Sequence, residues 1–124
     1  MSLIPVLNNT PADSIPAIAS KVRVTFASHK TRPLAWRKQQ LARLYWAIID
    51  NTAALEESLK IDLGRGQFEA QMTDIRWCTN DAIFVYNSLE RWAKDEAAED
   101  IPITYMALNA RIRKDPLGAV LIIG

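Results

Sequence analysis

The feature that most constrains the fold is an uninterrupted apolar run, AVLII, at residues 119–123. It has the length of a strand, and three of its five residues are β-branched. A strand without polar alternation suits the centre of a parallel sheet, where helices cover both faces. The run therefore predicts an α/β protein and argues against a helical bundle, in which such a strand would have no place.

Four earlier stretches have the apolar periodicity of helices. Asp13 and Ser14 are suitable caps for the first, Pro33 suits the first position of the second, and Gly64 suits the C-terminal cap of the third. The predicted apolar stripe of the fourth helix consists of Phe68, Met72, Ile75, Cys78, Ala82, Val85, Leu89 and Trp92. Trp77 and Phe84 form a second stripe, so this helix is expected to be covered on more than one side.

The last third of the chain changes character. Residues 94–100 are charged, residues 101–112 are rich in β-branched and aromatic side chains, and Asn109 lies near a turn. A β-hairpin that pairs residues near 102–107 with residues near 110–114 is predicted. The predicted organisation is an N-terminal arm (1–13), a helical segment (14–100), a β-hairpin (101–115) and the first strand of a dinucleotide-binding domain (116–124).

Composition excludes several classes of function. The net charge is +1, from 15 basic and 14 acidic residues, which does not favour a nucleic-acid partner. Cys78 is the single cysteine, so no intrachain disulfide is possible. The N-terminus lacks the pattern of a secretory signal, and no apolar run approaches the ~18 residues of a membrane helix. A cytoplasmic location is the expectation.

No isolated polar residue is predicted to form a site. Cys78 is interpreted as a core residue, and the lone His29 as a surface residue near a helix end. The pairs Glu56 with Glu57 and Glu96 with Asp100 are interpreted as exposed charges. We interpret a group of basic residues as a solvated helix face: Lys30, Arg32, Arg37, Lys38 and Arg43. We interpret the four tryptophans as packing residues: Trp36, Trp46, Trp77 and Trp92.

Several motifs, taken in order, resemble the start of class 3-type aldehyde dehydrogenases. FASHKTRPL at 26–34 resembles the family's F-x-S-x-K-T-R-P-L segment, and RKQQL at 37–41 matches R-x-x-Q-L. Residues 62–70 resemble D-L-x-K-x-x-x-E-A, although Arg65 and Gly66 replace the usual lysine region. LERWA resembles L-x-x-W, and PLGAVLIIG at 116–124 is similar to P-L-G-V-V-L-I-I-G. The nearest branch is the fatty-aldehyde or apocarotenal type.

The resemblance implies a truncated α/β fold, in which the hairpin belongs to a bridging or oligomerisation region and the last strand begins a Rossmann-like domain. The family oxidises aldehydes, here long-chain or apocarotenal ones, to carboxylic acids with NAD or NADP. Its oxyanion asparagine, cofactor glycines, general-base glutamate and nucleophilic cysteine lie beyond the position that matches Gly124. We therefore expect no catalytic, cofactor-binding or metal-binding residue in this chain.

Three hypotheses remain open from the sequence. The chain is an inactive aldehyde dehydrogenase-like polypeptide, or an interaction module that binds a full-length aldehyde dehydrogenase subunit or itself, or an independent helical scaffold. Exposed apolar surface and unpaired strand edges would favour the second. The apolar run at residues 119–123 argues against the third.

Overall fold

The computed structural model describes residues 9–122, which are mostly helical with one short antiparallel sheet. The predicted N-terminal arm falls largely on residues 1–8, which lie outside this range. The helices are a 3-10 turn at Ala12–Ser14, α1 at Ile15–Ala27, α2 at Leu34–Asp50, α3 at Thr52–Leu63, the short α4 at Gln67–Glu69, a π-helical segment at Ala70–Ile75 and α5 at Arg76–Ala93. The four predicted helical stretches are confirmed.

Gly64 ends α3 as the sequence predicts. It adopts the left-handed conformation, with φ of 67°, and its N–H donates to the carbonyl of Lys60. The N–H of Arg65 donates to the carbonyl of Leu59, six residues earlier, at 3.3 Å. The bond from Gly64 to Lys60 has the spacing of the αL type of helix cap, and both bonds satisfy carbonyl groups that the last helical turn leaves unpaired.

The π-helical segment runs directly into α5, and it changes which side of this continuous helical run faces the core. We call this rotation the change of phase. Arg76 donates its backbone N–H to the carbonyl of Gln71, five residues earlier, which is the spacing of a π-helix. Ala70 and Ile75, also five residues apart, are consequently both buried, at 0% and 7% exposure. In an uninterrupted α-helix, residues five apart would point about 140° away from each other.

This change of phase makes the start of the predicted apolar stripe wrong at Phe68 and Met72, whereas Ile75 is buried as predicted. Phe68 and Met72 are 79% and 46% exposed, because the π-helical turn places Ala70 on the buried side instead. The interpretation of Cys78 as a core residue is also wrong, since its side chain is exposed beside the buried face. The second half of the stripe is confirmed at Ala82 and Leu89, which are buried.

The core lies where α5 packs on α2, which is the most extensive contact between elements, and where α3 packs on the π-helical segment. The buried apolar residues among those described are Ala70, Ile75, Ala82 and Leu89; Thr79 and Ser88 are buried beside them. Two of the four are alanines. The small size of this core means that most of the large apolar side chains remain at the surface.

The sheet differs from the predicted hairpin. β1 at Glu96–Ala97 pairs with β2 at Arg111–Ile112 in antiparallel register, with Glu96 opposite Ile112 and Ala97 opposite Arg111. The predicted strand near 102–107 is instead a 3-10 helix at Ile103–Leu108. Pro102 fixes its own φ at −53° and accepts a hydrogen bond from the N–H of Tyr105 at 2.8 Å, which starts this helix locally.

The strand predicted at residues 119–123 is not confirmed. Residues 113–122 carry no regular secondary structure, and Ile123 and Gly124 lie outside the described range. A strand forms only by pairing its backbone with a neighbour, and within residues 9–122 the sheet contains only β1 and β2. Helices with a small sheet are compatible with the predicted α/β class, whereas the Rossmann-like assignment remains a prediction.

The solvent-accessible surface is unusually large. It amounts to 10623 Å². A folded monomer of this mass typically exposes about 6,700 Å². Large apolar side chains account for much of the exposed surface; Phe68, Trp77, Ile103, Leu117 and Leu121 are each more than half exposed. Such a surface is typical of a polypeptide that packs against further protein.

We expect Gly64→Ala to lower the free energy of unfolding by about 1–2 kcal/mol, because an L-residue is strained in the left-handed region. The nearby Gly66→Ala is the matched control, since Gly66 has φ of −71° and open space around it. It should change stability by less than about 0.5 kcal/mol. Chemical denaturation followed by circular dichroism measures both; equal effects would contradict the assignment of Gly64 as the strained position.

Candidate functional site

One apolar site is a groove between α2 and α5. It has a volume of about 160 Å³, and its lining is almost entirely apolar. The lining residues are Leu41, Ala42, Tyr45, Trp46, Ala82, Ile83 and Tyr86. A cavity of about 150 Å³ with apolar walls accommodates a benzene-sized group. The α2–α5 groove therefore matches one large apolar side chain of another polypeptide segment.

Aromatic side chains at the rim of this groove are poorly covered. Trp46 is 59% exposed and meets Tyr45 edge-on, with ring centroids 5.3 Å apart. On the far side of α5, Phe84 is 58% exposed and meets Trp92 edge-on at 5.5 Å. Exposed Trp and Tyr side chains next to an apolar pocket are the residues that contribute most at protein–protein interfaces.

At one end of the groove, the ammonium group of Lys38 lies between the carboxylate of Glu90 and the ring of Tyr86. Lys38 Nζ donates to Glu90 Oε1 at 2.6 Å and lies 4.8 Å from the centre of the Tyr86 ring. The hydrogen bond raises the pKa of Lys38, and the same bond lowers the pKa of Glu90. These contacts link α2 to α5 across 52 residues of sequence, and spacing along the chain could not have identified them.

A second apolar groove lies between α1 and residues 118–121. Gly118 lines it beside Phe26, near the end of α1, whereas Leu121 lines it beside Ile15, at the start of α1. The segment therefore runs antiparallel to α1. Val22 borders both parts of this α1 groove. An apolar segment beside a helix is the arrangement found where a helix packs on a sheet, although within residues 9–122 the segment is not part of a sheet.

A more polar cleft of about 440 Å³ lies where the start of α2, the end of α5 and residues 114–116 meet. Two indoles, Trp36 and Trp92, line it together with Arg37. Lys114 forms an ion pair with Glu96. Asp115 Oδ1 lies 3.7 Å from Arg32 Nη1 and 3.8 Å from Arg113 Nε. These pairs attach residues 113–115 to β1 and to the loop before α2.

The residues that the sequence singled out are not brought together. His29 is exposed directly after α1, as predicted, and has a positive φ of 60°. Cys78 is an exposed free thiol. Within residues 9–122, no group of three or more His, Cys, Asp or Glu side chains is placed to hold a metal ion.

Two interpretations of charged residues need correction. Glu56 is half-buried, and it accepts hydrogen bonds from Gln67 Nε2 at 2.9 Å and from Gln71 Nε2 at 2.6 Å. It is therefore a structural acceptor and not an exposed charge. Arg32 and Lys38 likewise form ion pairs with Asp115 and Glu90, so the basic face of α2 is only partly solvated.

The tryptophans behave differently from one another. Trp36 is half-buried in the polar cleft, in agreement with a packing role. Trp46 and Trp77 are 59% and 68% exposed, so the packing predicted for them is not formed within the described structure.

No helix in residues 9–122 combines the length and hydropathy that crossing a bilayer would need.

Comparison with known proteins gives clear relatives, although no family model matches the sequence. A β-apo-4′-carotenal oxygenase of Neurospora crassa is 50% identical over 115 residues, covering 93% of this chain and 22% of that protein. The β-apo-4′-carotenal oxygenase of Gibberella fujikuroi is 40% identical over 118 residues, covering 95% and 22%. Aldehyde dehydrogenase family 3 member B2 of Mus musculus is 35% identical over 107 residues, covering 86% and 22%.

The resemblance to class 3-type aldehyde dehydrogenases and to the apocarotenal branch is thereby confirmed. The similarity extends over most of this chain, while the chain spans about a fifth of the length of the relatives it matches.

We expect the carboxyl group of Glu90 to titrate below its ordinary value of 4.5, because Lys38 stabilises its charged form. The stability that this pair contributes on the acid side is then fully present above 4.5 and is lost as pH falls through the lowered pKa. Lys38→Met should move the midpoint back towards 4.5 in an NMR titration. The exposed Lys60→Met is the control; an unchanged midpoint in Lys38→Met would refute the pairing.

Proposed function

We propose that this chain, a relative of the class 3-type aldehyde dehydrogenases, serves as a non-catalytic, structural part of an enzyme that oxidises aldehydes to carboxylic acids with NAD or NADP. The aldehyde is proposed to be long-chain or apocarotenal. The observation that carries the proposal is the 50% identity to a β-apo-4′-carotenal oxygenase over 93% of the chain. Identity at this level over a whole segment supports the same packing role for that segment.

The described residues do not fit a dinucleotide. Gly64 caps α3, Gly66 precedes α4, and neither follows a strand as the glycines of a dinucleotide fingerprint do. A Cβ added at either glycine would meet nothing within 4 Å, so these positions are not adapted to a close approach of backbone to ligand. The cofactor, which accepts hydride in this chemistry, would be held by other parts of such an enzyme.

The residues of this chain have a packing role in the proposal. The α2–α5 groove and the α1 groove present apolar surface that water would otherwise contact, and covering it stabilises an assembly through the hydrophobic effect. Residues 119–121 lie along α1 but have no strand partner among residues 9–122. A sheet that supplied such a partner would complete the layer and pair their backbone groups.

A second candidate function is supported by the large exposed surface of 10623 Å². The chain would then be an interaction module that binds a full-length aldehyde dehydrogenase subunit through the same two grooves. Trp46 and the apolar lining of the α2–α5 groove would supply the central contacts of that interface. The net charge of +1 opposes association only weakly.

A chimera tests the first proposal. When this chain replaces the matching segment of the Neurospora β-apo-4′-carotenal oxygenase, we expect the chimera to fold and to oxidise its aldehyde, whereas the isolated chain should show no NAD- or NADP-dependent oxidation. Aldehyde oxidation by the isolated chain would overturn the non-catalytic assignment. In the chimera, Leu89→Ala should lower stability by about 2–5 kcal/mol. The exposed Leu108→Ala is its control.

Affinity purification with a full-length relative tests the second candidate. We expect the wild-type chain to retain the relative, and Trp46→Ser to weaken this retention because it removes an exposed indole from the groove rim. Lys60→Ser, at another exposed position, should leave it unchanged. No retention by the soluble wild-type chain would rule out this function.

A further inference from the structure

Arg65 makes an unusual set of contacts beside the π-helical segment. Its Nη1 donates to Glu69 Oε1 at 2.9 Å and to Thr73 Oγ1 at 3.3 Å. Its Nε lies 3.3 Å from Asp74 Oδ2. That buried Nε makes no hydrogen bond, so the contact with Asp74 is an ion pair without hydrogen-bond geometry. One guanidinium thus joins the loop after α3 to three side chains of the helical run.

The two carboxylates that Arg65 contacts are five residues apart. Glu69 is the last residue of α4, and Asp74 lies inside the π-helical segment. The side chains of residues five apart point about 140° from each other in an α-helix. They come to the same side where backbone hydrogen bonds span five residues, as in a π-helix. The π-helical turn therefore brings Asp74 to the side on which Arg65 contacts Glu69, whereas the contact with Glu69, which precedes the turn, does not depend on it.

A second polar contact anchors the helical run upstream of the turn. Glu56 of α3 accepts hydrogen bonds from Gln67 and Gln71, and Gln71 is also the residue whose carbonyl receives the N–H of Arg76. Downstream of the turn, α5 is fixed to α2 through Leu89 and the Lys38–Glu90 pair. The π-helical segment therefore lies between two anchored parts of the molecule.

We propose that Arg65 is a positioning residue that holds residues 70–75 in the π-helical state through Asp74, and thereby sets the rotation of α5 relative to α3. Two buried residues depend on this state, because Ala70 and Ile75 share the buried side only across a π-helical turn. When the ion pair with Asp74 is lost, the segment converts to the more favourable α-helical hydrogen bonding. The upstream turn then rotates against α3, since the Leu89 side of α5 is fixed on α2.

The conversion has a direct signature in one hydrogen bond. In the π-helical state the N–H of Arg76 donates to the carbonyl of Gln71. In an α-helix the acceptor is the residue four positions earlier, which is Met72. Scalar couplings through hydrogen bonds, measured by NMR on the labelled 124-residue chain, identify the acceptor directly. A loss of stability that left the backbone unchanged would not alter this coupling.

Matched variants separate the role of Asp74 from that of Glu69. We expect Arg65→Met and Asp74→Ala each to transfer the Arg76 coupling from Gln71 to Met72. Glu69→Ala makes the same change of side chain to alanine and removes the other carboxylate, yet it should leave the coupling on Gln71. The exposed Arg43→Met controls for the loss of a positive charge.

The proposal is overturned if the coupling stays on Gln71 in a folded Arg65→Met variant or in Asp74→Ala, or if Glu69→Ala transfers it as completely as Asp74→Ala does. Should Arg65→Met fail to fold, Asp74→Ala decides the question, because it leaves Arg65 and its bond to Glu69 in place. Transfer of the coupling in Asp74→Ala but not in Glu69→Ala supports it.

Discussion

The packing of the long helical run against both α3 and α2 at once depends on a local deviation of the backbone, the π-helical segment Ala70–Ile75. By adding one residue to a single turn, this segment brings Ala70 and Ile75 to the same buried side, and the α-helical spacing that follows places Ala82 and Leu89 on α2. Without it, the same sequence would turn Phe68 and Met72 inwards. The small core thus depends on backbone hydrogen bonding as much as on the apolar residues that fill it.

The core that results leaves most large apolar side chains at the surface. Two grooves, one between α2 and α5 and one along α1, are apolar without being filled. Relatives at 35–50% identity are between four and five times as long as the matched segment, since it spans 22% of each. Their similarity to this chain supports a role in which these grooves are covered by further protein.

Much of the helical architecture was predictable because its signals are local. Pro33 precedes α2, Gly64 caps α3 with a positive φ, and Asn109 adopts the left-handed conformation near a turn. Motifs such as FASHKTRPL predicted the resemblance to class 3-type aldehyde dehydrogenases, which the comparisons confirm. The candidate surfaces were only partly predictable. The second stripe of α5, Trp77 with Phe84, was recognised as needing cover, but the pairing of Lys38 with Glu90 was not foreseen.

The sequence by itself determined where helices begin and end and how many apolar residues the chain contains, because these follow from local backbone preferences and composition. Only the tertiary structure decided the phase of the long helix and the partner of each strand. Arg65 reaches Asp74 only once α3 and the helical run are folded side by side, and β2 pairs with Glu96–Ala97 because residues 103–108 form their own local turn. Both features depend on which of several non-local contacts of similar energy forms. The spacing of residues along the sequence contains no information about these contacts.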